Sequence, residues 1–495
     1  MSYTKVVVKG TFWFLLFSIL SAGVFYLWRL MLTRELSTSD VGLFFAVFSF
    51  VNVITNMREL GASSAVVQLV AKYRTQGRWT LLRETLVWLL LWYAFLAAIF
   101  IAVVFIAAKP LSAYYFKDID AVHLIYWLLL MAGFATIYSF LTVAFQGLRE
   151  IRWYAMMPFA VGIAVLGMTG LLLRRGWGVD APAAGYAFAV IVVACLAAWQ
   201  LTRIEGVQKL FVGPVKLKRQ TLNSIFKFGL PASIGTAATW VFASVDPLVL
   251  TAQGSLTAVA LYSVAQPIAM LLRYVPKAIT VVMFPVSVEL HTLKDRRLNE
   301  GVRQVQKYLM LLLLPIGIPI VTLAPQIIAF LFPPEYGAAA QTLQFLTIAQ
   351  ILGAVALVNT YVLLGMGKPR IFAGILVTGA VLNLLLDLIL VPSWGVVGVG
   401  IANVVAQAGM LIVSLWKLQT TVDYRTPWRA WMKMGIAGVI LVLTMDTAKT
   451  MFGPGVLGVG AATLIGIVAY GGSIFLLRAL TIDELRGLIA RVMPR

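Results

Sequence analysis

A chain of 495 residues that is 61% hydrophobic and only 12% charged is not a soluble globular sequence, since such domains carry about a quarter charged residues. Its 39 Lys and Arg against 19 Asp and Glu leave a formal net charge of +20; on an apolar background this reflects Lys and Arg gathered in cytoplasmic loops, so no nucleic-acid partner is expected. One cysteine, Cys195, and two distant histidines, His123 and His291, exclude a disulfide framework and a structural zinc site, and no metal or cofactor is expected.

The N-terminus, MSYTKVVVKGTFWFLLFSIL, is a short basic head followed by an apolar run without a small-residue cleavage site, so it reads as a first spanning helix rather than a removed signal. Apolar runs of about 20 residues, the length a helix needs to cross a bilayer, then recur along the chain. They predict fourteen spans, at 8–28, 40–62, 86–108, 122–145, 154–173, 181–202, 228–250, 256–284, 308–332, 341–364, 371–391, 395–417, 430–448 and 456–477. With both termini cytoplasmic, most Lys and Arg fall in cytoplasmic segments, which fixes the expected orientation. The expectation is an all-α polytopic protein of the cell (plasma) membrane, about 14 transmembrane helices, both termini inside.

The sequence repeats itself at an offset of 218 residues (248 over 30). RLMLTRELSTSDVGLFF lies over PLVLTAQGSLTAVALYS, with identities at Leu30, Leu32, Thr33, Ser37, Val41 and Leu43. GLREIRWYA lies over GMGKPRIFA at the same offset, matching Gly147, Arg152 and Ala155. This predicts two six-helix lobes running in the same direction, related by a pseudo-two-fold along the membrane normal, as in transporters that rock two halves around a central site. The expected division is an N-lobe at 1–205, a basic linker at 206–227 lying on the membrane surface, a C-lobe at 228–420, and helices 13 and 14 with a tail at 421–495.

Charges inside spans are the candidate functional residues, because a cation at the bilayer centre costs at least about 2.5–3.5 kcal/mol. Arg58 and Glu59 fall late in helix 2. Arg273 and Lys277 fall at similar depth in the equivalent helix 8, four residues apart and so on one face, with Pro276 between them bending the helix. The rival reading ends helix 8 near 276 and lets both cations snorkel; the apolar continuation through 278–288 argues against it. For Arg58 the rival is an ion pair with Glu59. Arg29 and Arg34 divide between cavity and outer rim. The remaining acids in spans, Asp246 and Asp387, fit charge balance or ion coupling.

Several segments resemble the polysaccharide flippases of the multidrug/oligosaccharidyl-lipid/polysaccharide exporter superfamily, the Wzx-like proteins and their cousin the lipid II flippase. These are LTRELSTSDVGLF, ELGASSAVVQ, FKFGLPASIG, Asp246, ALYSVAQPI, PPEYGAAAQTL and VLNLLLDLILVPSWGVVGVGIANVV, in order over about residues 1–420. The resemblance implies a MATE-like fold of two lobes around a cationic cavity, and a non-enzymatic flippase moving an isoprenoid-pyrophosphate-linked oligosaccharide to the outer leaflet by alternating access. By position it implies Arg29 or Arg34, Arg58 and Arg273 as pyrophosphate ligands, a groove for the lipid tail at helices 13 and 14, membrane lipids as surroundings, a monomer, and coupling to H+ or Na+. The alternatives are a drug/cation antiporter of the same superfamily and, less favoured, a membrane glycan polymerase or ligase, for which the outer loops are short. DID at 118–120 and GPGVLG at 453–458 match metal and dinucleotide motifs, but in an outer loop and at the mouth of a span they carry no such chemistry.

Overall fold

In a computed structural model of the chain, the residues described are 3–57, 62–148, 150–204, 217–223, 225, 244–293, 297–422, 424–453, 455–481 and 484. No strand occurs among them. Their elements in order are α1 (Tyr3–Glu35), α2 (Thr38–Met57), α3 (Ala62–Thr75), α4 (Trp79–Pro110), which runs on into a π-helical turn (Leu111–Phe116), α5 (Ala121–Gly147), α6 (Ile151–Arg174) and α7 (Asp180–Thr202). A helical stretch α8 (244–253) follows. Then come α9 (Leu256–Met270), a 3-10 turn (Leu271–Arg273), α10 (Tyr274–Thr292), α11 (Arg297–Thr322), α12 (Ala324–Leu331), α13 (Ala339–Gly365), α14 (Pro369–Thr421), α15 (Trp428–Phe452) and α16 (Val456–Leu476).

Twelve helices among the described residues are long and apolar enough to cross a membrane. One, α14, has 53 residues and would be about 80 Å long if straight, more than twice the hydrocarbon thickness. It turns at Gly395, whose φ of 55° and ψ of −133° lie where only glycine sits without strain. α14 is therefore two spans, as predicted at 371–391 and 395–417. Predicted helix 7 lies mostly outside the described residues. The protein is a multi-pass membrane protein.

The chain forms two compact units, Met1–Ala260 and Leu261–Arg495. In the first, α1 packs on α6, and α7 packs on α5 and α6. In the second, α13 packs along α14, and α15 pairs with α16 and lies against α11. The unit boundary falls within α9. The expected linker at 206–227 lies mostly outside the described residues; at its far end 217–220 are exposed, while Thr221 and Ile225 are buried. Ile225 is buried in an apolar cluster with Ala62, Leu82, Tyr93 and Leu201.

The repeat is visible in the helix ends. α2 and α9 start at Thr38 and Leu256, α4 and α11 at Trp79 and Arg297, α6 and α14 at Ile151 and Pro369. α5 and α13 share both ends at the same spacing, Ala121 with Ala339 and Gly147 with Gly365. Local chemistry explains this. Ser37 Oγ accepts the Asp40 N–H and Ser255 Oγ accepts the Ala258 N–H, each at 3.1 Å, equivalent caps at equivalent helix starts. A Cβ on Gly147 would sit 2.9 Å from Val70 Cβ. One on Gly365 would sit 2.7 Å from Ser287 Cβ and 2.9 Å from the Phe284 carbonyl oxygen. Glycine thus lets the end of the fourth helix of each half cross the second helix closely.

A buried polar chain fixes the two added helices. Tyr424 Oη donates to Gln306 Oε1; Gln306 Nε2 donates to Asn359 Oδ1 (2.6 Å), and Asn359 Nδ2 to Ser414 Oγ (3.1 Å). Gln306, Asn359 and Ser414 are fully buried, so α11, α13 and α14 are tied to the segment leading into α15.

Gly147→Val and Gly365→Val should each lower the apparent melting temperature of purified protein by several degrees, the overpacking of a close crossing costing about 1–3 kcal/mol. Gly167→Val, with nothing within 4 Å of its would-be Cβ, should leave it within about a degree.

Candidate functional site

In the first unit Arg29 lies on α1 among aromatic rings. Its guanidinium stands 4.6 Å from the centroid of Phe45, and its Nε is buried without a hydrogen bond. No carboxylate pairs with it among the described residues. The neighbouring Trp28 is held on both sides. Trp28 meets Phe44 and Tyr186 edge-on at 5.6 and 6.0 Å and donates its Nε1–H to Thr169 Oγ1 at 3.1 Å. A cation over an aromatic face gains about 0.5–2 kcal/mol, less than its desolvation costs. Arg34, one turn on, is exposed at the end of α1. Asp246, on α8, is buried with 3% exposure. Arg58 and Glu59 lie outside the described residues.

In the second unit the helix-8 region is broken. α9 ends at Met270, the 3-10 turn ends at Arg273, and α10 starts at Tyr274. The expected bend at Pro276 is thus displaced to the turn before it. Pro276 has no N–H for the Leu272 carbonyl and its ring crowds that carbonyl, so the chain departs from α geometry there and restarts with proline in the first turn, where it fits. Arg273 is half-buried at this junction and interacts electrostatically with the Tyr262 phenol, whose oxygen accepts from Gln266 Nε2 at 2.8 Å. Lys277 is exposed. Neither Arg273 nor Lys277 pairs with an acid among the described residues. Asp387 on α14 is fully buried, and its Oδ2 accepts from Asn383 Nδ2 at 3.1 Å.

Among the described residues Arg29 in the first unit and Arg273 in the second are half-buried without a carboxylate against them, while Arg34 and Lys277 stand at exposed positions. Among the described residues no group of three His, Cys, Asp or Glu could hold a metal.

Glu84 escaped the sequence reading. It precedes the predicted third span and looks like one charge in a cytoplasmic run, RWTLLRETL. The structure buries it to 3% exposure, and its Oε1 accepts the Lys218 backbone N–H at 2.6 Å. The signal available was its place on the apolar stripe of α4: Leu82, Glu84, Thr85, Leu86 and Leu89 are all buried. The carboxylate anchors the far end of the basic linker, where Thr221 and Ile225 are also buried.

Comparison with known proteins follows the same lines. The sequence profile of a family described as "Polysaccharide biosynthesis protein" matches residues 7–291. An uncharacterized membrane protein of Methanocaldococcus jannaschii is 26% identical, with 100% of both chains covered. The probable low-salt glycan biosynthesis flippase Agl15 of Haloferax volcanii is 20% identical over 88% of each. Among solved structures, the lipid II flippase MurJ in an inward closed conformation superposes with a TM-score of 0.78 at 15% identity, covering 96% of this chain and 100% of that one. An inward-facing multidrug resistance MATE family transporter gives 0.63 at 19% identity, over 82% and 94%. These structures show the fold: all-α, of the MurJ and MATE type.

Glu84→Ala should speed limited proteolysis within the basic linker several-fold and cost stability by about 1.5–3 kcal/mol, the value of a hydrogen bond to a charged group. Glu84→Gln, which keeps an acceptor without the charge, should lie between parent and alanine variant in both measurements.

Proposed function

The chain belongs to the polysaccharide biosynthesis protein family, and on that premise we propose that it is a flippase, carrying an isoprenoid-pyrophosphate-linked oligosaccharide across the plasma membrane by alternating access. It would work with both termini cytoplasmic, as a monomer and without catalytic chemistry of its own. The observation that carries this reading is the pair of half-buried arginines, Arg29 and Arg273, with no carboxylate against them among the described residues. A cation at that depth costs free energy that a bound anion offsets. Guanidinium suits the task because it stays charged and meets phosphate oxygens with two parallel hydrogen bonds. One such charge about 4 Å from a phosphate contributes about 4 kcal/mol at an effective dielectric of about 20. Arg58 is the third proposed ligand; Arg34 and Lys277 would meet the anion at the entrances. The names of the lipid II flippase and of Agl15 support the substrate class.

Coupling to H+ or Na+ is assigned to the buried acids. At the repeat spacing Asp246 and Asp387 occupy the positions that Trp28 and Thr169 hold in the first half, where the two side chains hydrogen-bond. An inert pair is thus replaced by two acids. The same acids are what favours the second reading, a drug/cation antiporter, which needs negative charge in its lumen.

An assay of outer-leaflet lipid-linked sugar, in cells or liposomes, separates the readings. Arg29→Ala, Arg58→Ala and Arg273→Ala should each lower flipping at least about tenfold at near-normal expression, the loss of about 1.4 kcal/mol or more of anion binding. Lys277→Ala should cost less, and Arg273→Lys should restore part of the loss, charge without the fork. Normal flipping by all three alanine variants would sink the pyrophosphate assignment. Efflux of a cationic dye that needs Asp387 would move the reading to the antiporter.

A further inference from the structure

A groove of about 480 Å³ runs between α4 and α5 on the surface of the first unit. Ile101 and Phe105 of α4 and Tyr126, Leu130, Gly133 and Ile137 of α5 line it, and Phe105, Leu130 and Ile137 are exposed. Along α5 it extends from Tyr126 to Ile137, about 16 Å of helix, close to the roughly 15 Å of hydrocarbon in one leaflet. The rings of Phe105 and Tyr126 meet at 5.1 Å near one end. Lys109 stands one turn beyond Phe105, in the last turn of α4, exposed, at the end expected to face outward. No acid pairs with it among the described residues. The acids that follow it in the chain are engaged elsewhere. Asp118 Oδ1 accepts the Asp120 N–H at 2.9 Å, and Asp120 lies with His123 against Asp180 at the start of α7.

Gly133 gives the groove its depth. Packing does not require a glycine there, because a Cβ would meet only Ile101 Cδ1, at an ordinary 3.7 Å. The second half treats the same surface differently. At the repeat spacing Ile351 stands in place of Gly133 and is buried. Leu323 stands in place of Phe105 and is buried in a cluster with Leu441 and Met445 of α15; Ile327 stands in place of Lys109 and packs on that cluster. There the chain covers the surface with its own helix, and these three positions are apolar. The first half deepens the floor with glycine and sets a cation at the rim where the other half has isoleucine. A covering helix would bury that cation. An occupant with a hydrocarbon chain and an anionic head would lie in the groove and pair with it.

We propose that the α4–α5 groove is a binding site for an anionic membrane lipid, one hydrocarbon chain lying on Gly133 and the head-group phosphate at Lys109. The lipid covers in the first half the surface that α15 covers in the second. The length of the groove favours a lipid of one leaflet over a long polyprenyl tail, which would leave most of its chain outside. The site rests on the membrane-spanning fold and on no assumption about cargo.

The test places the full chain in phosphatidylcholine nanodiscs that carry a small share of phosphatidylglycerol with a photoreactive diazirine on its acyl chain. After irradiation, adducts are mapped by peptide mass spectrometry. Adducts on the groove segments of α4 and α5 should exceed those on the exposed face of α16 around Leu464 and Val468 by about fivefold or more. Lys109→Ala should lower groove labelling about fivefold, the worth of one cation beside an anionic head group, and Lys109→Arg should keep it. A phosphatidylcholine with the same photoreactive chain should label the groove less than phosphatidylglycerol by a similar factor. Gly133→Leu, which fills the floor, should remove the excess. If it fails to fold, Lys109→Ala decides alone, since a change at this exposed position leaves the fold intact. Labelling that follows exposure alone on all helices, or groove labelling indifferent to Lys109 and to head-group charge, would overturn the proposal. So would displacement of the probe by a polyprenyl phosphate but not by unlabelled phosphatidylglycerol, which would give the groove to the cargo's tail. Exclusion of the probe in discs holding two copies would give it to a self-contact and overturn it as well. None of these readouts involves flipping, so failure here leaves the proposed function standing, and the reverse also holds.

Discussion

A guanidinium held within an apolar helix bundle, with no carboxylate against it among the described residues, is the constraint from which the rest follows. Hydrocarbon does not solvate it, and a cation–π contact such as that of Arg29 with Phe45 recovers only part of what is lost. Each charge sits beside side chains that are themselves held by specific contacts. Around Arg29 these are interlocked rings and the Trp28–Thr169 hydrogen bond; around Arg273 they are a helix restart enforced by Pro276 and a phenol fixed by Gln266. Neither setting neutralises the cation. An anionic partner for either charge is what the proposed function supplies.

Much of this architecture was legible in the sequence, because membranes simplify the rules. Span lengths follow from bilayer thickness, and thirteen of the fourteen expected spans appear among the described residues in twelve membrane-length helices, α14 being two spans joined at a glycine. The duplication was legible from a handful of identities, and the structure shows why those survive. Ser37 and Ser255 cap equivalent helices, and Gly147 and Gly365 allow equivalent close crossings. Local roles of this kind depend on residue identity, whereas the apolar positions between them tolerate exchange and lose resemblance.

What was not legible depends on tertiary neighbours. Arg29 and Arg34 are five residues apart in one helix and could not be ranked by hydropathy; the structure leaves Arg34 exposed and sets Arg29 over the Phe45 ring of α2. Glu84 looked like a surface charge because its partner, the Lys218 amide, is distant in sequence. The linker looked like a surface segment because its charges dominate its composition, yet Thr221 and Ile225 among them are buried. Composition reports the average environment of a stretch; single buried anchors are invisible to it.

The two halves share a backbone plan but not a charge plan. Arg29 corresponds to Pro247, and Arg273 corresponds to Thr55, whose hydroxyl folds back onto the Val51 carbonyl at 2.7 Å. Glu84 corresponds to Val302. Helix starts, caps and crossings are conserved between halves because they make the fold, and a fold built twice can use the same solutions twice. Among the described residues the first half offers its half-buried cation from α1 and the second from the break between α9 and α10. A duplicated set of cations would suit a symmetric ligand. A lipid-linked anion has a tail at one end and a sugar at the other, and for such a cargo each half has reason to offer a different helix and a different depth. Divergence of the charges on a preserved scaffold is what the proposed function requires of a duplicated bundle.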